Sequence, residues 1–133
     1  MLSDSTSLNV TGTKCRAVED TKYGTLYYNA VESGNAIFTT SGRARLVNGR
    51  AHVELDLRWL AGVTIDEHHP LDVTSVVFYG PHGQWYAKPG TSGFEIVEST
   101  GATVEFFWTL QASQKGYEDR YLDQSDATPV AAR

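Results

Sequence analysis

Four consecutive side chains, Asp66-Glu67-His68-His69, form the densest local group in the chain able to hold a metal or move a proton. Adjacent residues of an extended segment point in opposite directions, so His68 and His69 are poorly placed to share one ion. Pro70 follows directly, and a polar stretch ending in proline reads as a solvated connector. Glu95, Glu98 and Glu105 could supply an acid/base pair of the glycosidase type, which needs only two suitably spaced carboxylates. Charged residues on a strand are, however, the ordinary occupants of a solvent-facing sheet surface. His52 and His82 have no Ser or Cys at motif spacing, and neither a nucleophile elbow nor a zinc-protease pattern exists. Cys15, the single cysteine, lies between Lys14 and Arg16, whose charges favour a thiolate if it is exposed. It has no His-Asn/Asp companions and reads as packing; one cysteine also excludes an internal disulfide. No catalytic residue, cofactor or metal ligand is expected.

Aromatic side chains are the stronger candidates, because rings stack on sugar faces and anchor protein interfaces. Trp59 and Trp108 are expected in the core. Trp85 and Tyr86 are neighbours on a short strand, so one of them points outward as a binding ring. Phe107 breaks the polar face of an otherwise alternating strand, and is expected to pack under a loop or against a neighbouring subunit. Trp85, Tyr86 and Phe107 are therefore the candidate binding residues.

The elements that must position these residues are short and β-like. Between Gly42 and Leu57, Asn48-Gly49 separates two alternating runs, the strongest short hairpin signal, since a type I′ turn needs φ > 0 at both central positions. A two-residue turn would set Val47 opposite Arg50 and Leu46 opposite Ala51, with an Arg43–Glu54 pair of opposite sign further along. Ala44, Leu46, Ala51, Val53 and Leu55 then share a dry face, and Arg43, Arg45, His52, Glu54 and Asp56 a wet one. Residues 57–61 read as a single helical turn closed by Gly62. Residues 8–18 predict one or two strands, and 24–31 an aromatic strand. Residues 72–79 predict a strand buried on both faces in its second half, and 84–87 a return strand halted by Lys88-Pro89-Gly90. Residues 94–97 follow as a short strand. In the last strand Val104, Phe106, Trp108, Leu110 and Ala112 take one face, with Glu105, Thr109 and Gln111 on the other. The fold class is all-β: a single antiparallel β-sandwich or barrel-like domain over 10–123, with one short helical turn. A flexible lead over 1–9 and a flexible tail over 124–133 flank it.

Composition narrows the function classes. The chain has 133 residues, 41% of them hydrophobic, enough for one domain with a real core. A formal net charge of −5 and the lack of a basic stripe argue against nucleic acid as a partner. No apolar run approaches the roughly 20 residues of a membrane helix, and Met1 to Asn9 lacks the blocks of a signal peptide.

Several blocks occur in a familiar order: Val10-Thr11-Gly12-Thr13-Lys14, Arg16-Ala17-Val18 and Tyr23-Gly24, then Leu46-Val47-Asn48-Gly49 and Val53-Glu54-Leu55-Asp56. Gly93-Phe94-Glu95-Ile96, Lys115-Gly116-Tyr117-Glu118 and Arg120-Tyr121-Leu122-Asp123 complete the series. In this order and spacing, residues 10–123 resemble the C-terminal β domain of tailed-bacteriophage tail fibre and minor tail proteins, also seen in some bacterial surface proteins. One departure is Val77-Phe78-Tyr79-Gly80, where that family carries an aromatic-Leu-Thr-Pro segment. The resemblance implies a non-enzymatic virion structural protein on the extracellular particle surface, in a tail fibre or tip, contributing to assembly or host attachment. Its implied partners are other virion proteins and itself, as a homotrimer with Phe107 at the seam, and a host surface glycan or protein. The alternatives are a capsid decoration (cement) protein, a carbohydrate-binding module using Trp85 or Tyr86, and a glycan hydrolase using Glu95 and Glu105.

Overall fold

The computed structural model describes residues 10–122, and is mostly β, with antiparallel sheets and one short helix. The expected lead over 1–9 and tail over 124–133 lie outside the described residues. The chain divides into two compact units, with the boundary between Ser33 and Gly34.

The first unit is a two-stranded antiparallel sheet of β1 (Cys15–Thr21) and β2 (Gly24–Asn29). Cys15 lies opposite Asn29 and Val18 opposite Leu26, after which the register shifts at Asp20, whose φ is +59°. The Thr21 hydroxyl accepts from the Tyr23 amide and donates to the Gly24 carbonyl, closing the turn. Within these strands only Val18, Thr21 and Leu26 are even half-buried. A two-stranded ribbon is at best marginally stable in water, and this one has no apolar layer of its own.

The second unit is a sandwich of two facing sheets. One is built on β9 (Val104–Gln114), flanked on one side by β3 (Ile37–Leu46) and on the other by β6 (Asp72–Phe78) and the two-residue β5 (Val63–Thr64). The other sheet runs β4 (Arg50–Glu54), β8 (Gly93–Glu98) and β7 (Trp85–Pro89). Between β4 and β5, α1 (Leu57–Leu60) is a single turn, capped by the Asp56 carboxylate accepting from the Arg58 amide at 2.7 Å. The Gly62 amide closes it on the Trp59 carbonyl.

Alternation in β9 turns Phe106, Trp108, Leu110 and Ala112 into the core, as the sequence implies. They meet Val53, Phe94 and Ile96 from the second sheet. Phe94 and Trp108 interlock edge to face across the layers, with centroids 5.4 Å apart. Full burial of each such side chain stabilises the fold by about 1.5–3 kcal/mol.

Asn48-Gly49 forms the expected turn: Asn48 has φ +51°, Gly49 has φ +79°, and Val47 and Arg50 exchange both backbone hydrogen bonds. The hairpin ladder beyond that pair is not formed. β3 continues along β9 and β4 along β8, so the two strands separate into opposite sheets. The dry and wet faces of each strand are nonetheless those expected, because alternation depends on the strand and not on its partner. The expected Arg43–Glu54 pair is replaced by Arg43 opposite Phe107 and Glu54 opposite Gly93. Two further expectations fail. Val77 is half exposed on the outer face of β6, and β7 runs through Lys88 and Pro89. Pro89 is accommodated because β7 is an edge strand, where a missing N–H can face away from the sheet.

Candidate contact surfaces

The outer face of the β4-β8-β7 sheet carries one of the two candidate rings. Tyr86 points out and is 57% exposed, whereas Trp85 turns inward and packs edge to face on Phe78 at 5.4 Å. Trp85 is thus partly buried against the core, and of the two Tyr86 offers the open ring. Beside it, Lys88 lies opposite Glu95, and Glu95 opposite His52. His52 Nε2 meets Glu54 Oε1 at 2.5 Å, and its Nδ1 is 3.7 Å from Glu95 Oε1. The hydrogen bond that His52 donates to the Glu54 carboxylate, aided by the charges of Glu54 and Glu95, raises the His52 pKa despite the opposing effect of desolvation.

On the opposite side of the sandwich, Phe107 is half-buried between its cross-strand neighbours Arg43 and Val77. Tyr79 stands exposed next to it, with the Arg43 guanidinium 4.9 Å from its ring centroid. Arg45 and Glu105 lie 3.8 Å apart on the same face. Phe107 is therefore shielded partly by its own sheet neighbours, a contribution the sequence pattern does not reveal. The three glutamates considered as an acid/base pair do not converge. Glu95 and Glu105 occupy the outer faces of different sheets, with the core between them.

Glu98, the third, is buried, contrary to the expectation of an exposed carboxylate. It accepts from the Thr100 hydroxyl and from the amides of Gly83, Thr100 and Ala102. The Thr100 hydroxyl and the three amides hold its pKa at about 2 against the upward push of burial. Its role is to tie the Gly80–Gly83 turn to the loop before β9.

An open groove of about 650 Å³ is lined by Ile37, Pro70, Asp72, Gln111, Ser113 and Glu118. His69 forms part of its wall. Its Nδ1 bonds Asp66 Oδ1 at 2.9 Å and its Nε2 bonds Asp119 Oδ1 at 3.0 Å. Asp119 first, then Asp66, raise the His69 pKa, because both ring nitrogens donate to carboxylates in the protonated form. Both ring nitrogens are thus turned to carboxylates, one on either side of the ring. His69 locks the Asp66–His69 turn, while the Thr64 hydroxyl donates to Glu118 at 2.6 Å. Among the described residues no three His, Cys, Asp or Glu side chains are grouped to hold a metal ion, and no helix is long and apolar enough to cross a membrane.

The β1–β2 unit carries the most exposed aromatic surface: Tyr23, Tyr27 and Tyr28 are 72%, 67% and 59% exposed. The sequence marked this segment as an aromatic strand but gave no signal that it would lack an apolar layer. No protein-family model matches the chain, and no curated protein or solved structure matches it either.

Proposed function

We propose that this chain is a non-enzymatic structural module of a tailed-phage particle, a tail fibre or tail-tip component whose work is contact with neighbouring subunits and the host. The observation that carries the reading is the β1–β2 unit, a ribbon with no core and bare tyrosines attached to a well-packed sandwich. A ribbon of this kind gains stability only when something outside it covers its side chains. The neighbours that would do so are other virion proteins and further copies of this chain, arranged as a homotrimer on the extracellular particle surface. The ordered blocks from Val10 to Asp123 support placement in a fibre.

Mass spectrometry and immunogold labelling of purified particles test the reading. The expected result is a stoichiometric particle component with label at the tail. Label on the head would favour a capsid decoration protein, and absence from particles would overturn the virion assignment altogether. A carbohydrate-binding role is favoured by one specific observation, the open Tyr86 ring beside Lys88 and Glu95. A glycan array comparing the native chain with Tyr86→Ala tests it: a signal that Tyr86→Ala abolishes supports glycan recognition, and a blank array removes it.

A further inference from the structure

Exposed strand edges invite pairing with other chains, and native sheets blunt them with charge, proline, bulges or shortness. Most edges of this protein are blunted in one of these ways. β7 carries Lys88 and Pro89, and β5 is two residues long. β6 carries Asp72 and an irregular register between Val73 and Ser75. β4 carries Arg50, His52 and Glu54, and β1 carries Arg16, Glu19, Asp20 and a register shift. Among the described residues two edges carry no such device. One is β2, Gly24–Asn29, which has no charge and no proline. The other is the first half of β3, Ile37-Phe38-Thr39-Thr40-Ser41, also uncharged, whose one strand partner among the described residues is β9.

The backbone parity of these two edges matches. The Gln114 amide donates to the Ala36 carbonyl, so by the antiparallel alternation the amides of Ile37, Thr39 and Ser41 point away from β9. The Ala30 amide donates to the Lys14 carbonyl, so those of Thr25, Tyr27 and Asn29 point away from β1. Setting Tyr27 opposite Thr39 aligns Thr25 with Ser41 and Asn29 with Ile37, and every outward amide meets an outward carbonyl, of which that of Ile37 also accepts from Gln114 Nε2 at 3.1 Å. The same alignment brings the turn that holds Glu19, Asp20 and Lys22, with one net negative charge, to the end of the sheet where Arg43 and Arg45 lie beside Glu105, with one net positive charge.

The geometry points to strand addition between copies: β2 of one chain joins the open edge of β3 in a second copy, extending its sheet by the β1–β2 ribbon. The contact uses different surfaces on the two chains, so it closes as a reciprocal pair or a ring, or runs on as an open filament. It deepens the assembly reading and rests on it, yet a particle component without this contact would leave that reading standing.

Site-directed cross-linking tests it. Full chains carrying Cys15→Ser are prepared with either Tyr27→Cys or Thr39→Cys, mixed, and oxidised with glutathione disulfide. Residues opposite each other in such a hydrogen-bonded pair have Cα atoms about 5.5 Å apart, within disulfide reach. The expected product is a heterodimer in about tenfold excess over either homodimer, reflecting the high effective concentration within an assembled contact. A heterodimer yield no higher than random pairing overturns the proposal. So does a chain bearing both cysteines that closes on itself and stays monomeric. Sedimentation of the unmodified chain supplies an independent readout, with a mass at least twice 14.6 kDa expected. Thr39→Pro, which removes an outward amide, and, separately, Ser41→Glu, which sets a like charge against the 19–22 turn, should abolish that association; neither position donates its amide to β9, so the β3–β9 ladder is kept. A monomeric native chain, or folded variants that associate unchanged, refutes strand addition.

Discussion

Gly49 and Gly101 share a left-handed backbone, with φ of +79° and +75°, but differ in what surrounds them. A Cβ on Gly101 would meet nothing within 4 Å, whereas one on Gly49 would lie 2.7 Å from the Glu98 carbonyl oxygen and 3.2 Å from Gly101 Cα. Gly101→Ala therefore bears only the left-handed penalty, about 1–2 kcal/mol. Gly49→Ala bears the same penalty plus a collision with backbone atoms, which cannot rotate aside, adding about 1–3 kcal/mol. Retreat is opposed by two hydrogen bonds, from the Gly49 amide to Ala102 O at 2.9 Å and from the Glu98 amide to Gly49 O at 2.8 Å. Guanidinium chloride unfolding followed by tryptophan fluorescence, with the slope held common, measures both variants. The expected order is native, then Gly101→Ala, then Gly49→Ala, the last two separated by at least about 1 kcal/mol. Equal midpoints for the two variants would refute the claim that the turn docks against the 98–102 loop.

Glu98 has its pKa depressed to about 2, so the stability it contributes is complete above the ordinary glutamate range and disappears as pH falls towards that value. Urea midpoints between pH 6 and pH 2 should fall steeply for the native chain and far less for Glu98→Gln, which starts lower. The His69 pKa is raised, so the opposite sign applies: its contribution is complete below the ordinary histidine pKa and is lost as pH climbs through the raised one. Proton NMR of the His69 ring should show a titration above the free-histidine value that Asp119→Asn moves back down. Phe94→Ala should cost about 3–5 kcal/mol, because Phe94 is 1% exposed between the sheets. Phe107→Ala, on an outer face, should cost under about 1.5 kcal/mol in the isolated chain, and similar midpoints for the two variants would contradict the layer assignment.

What the sequence made legible was local. Strand β9 reads directly from period-two alternation, α1 from the run 57–61 closed by Gly62, and the turn from Asn48-Gly49, each decided by contiguous residues. The partners of β3 and β4 were not legible, because turn chemistry specifies how the chain reverses and says nothing about which sheet each arm then joins. Arg43 illustrates the point: its outward direction followed from alternation, but its contact with Tyr79 depends on β6 reaching the far side of β9. Glu98 was misjudged for the same reason. The amides that make its burial tolerable come from Gly83, Thr100 and Ala102, and no pattern along β8 announces them. Tyr86 against Trp85 was a choice between two faces, settled by Phe78 lying beneath one of them.

The corner where the chain leaves one sheet for the other also bears on chemical ageing. Asn-Gly pairs lose ammonia when the glycine nitrogen attacks the asparagine side chain and closes a five-membered imide. At Asn48-Gly49 that nitrogen has its hydrogen directed at the Ala102 carbonyl, and the Asn48 backbone N–H donates to the Thr103 hydroxyl at 3.1 Å. Ring closure would require both anchors to release and the backbone to rotate. The folded corner therefore guards a bond that is labile in a loose peptide, and conversion of Asn48 to aspartate or isoaspartate becomes a clock that runs only while the sandwich is open.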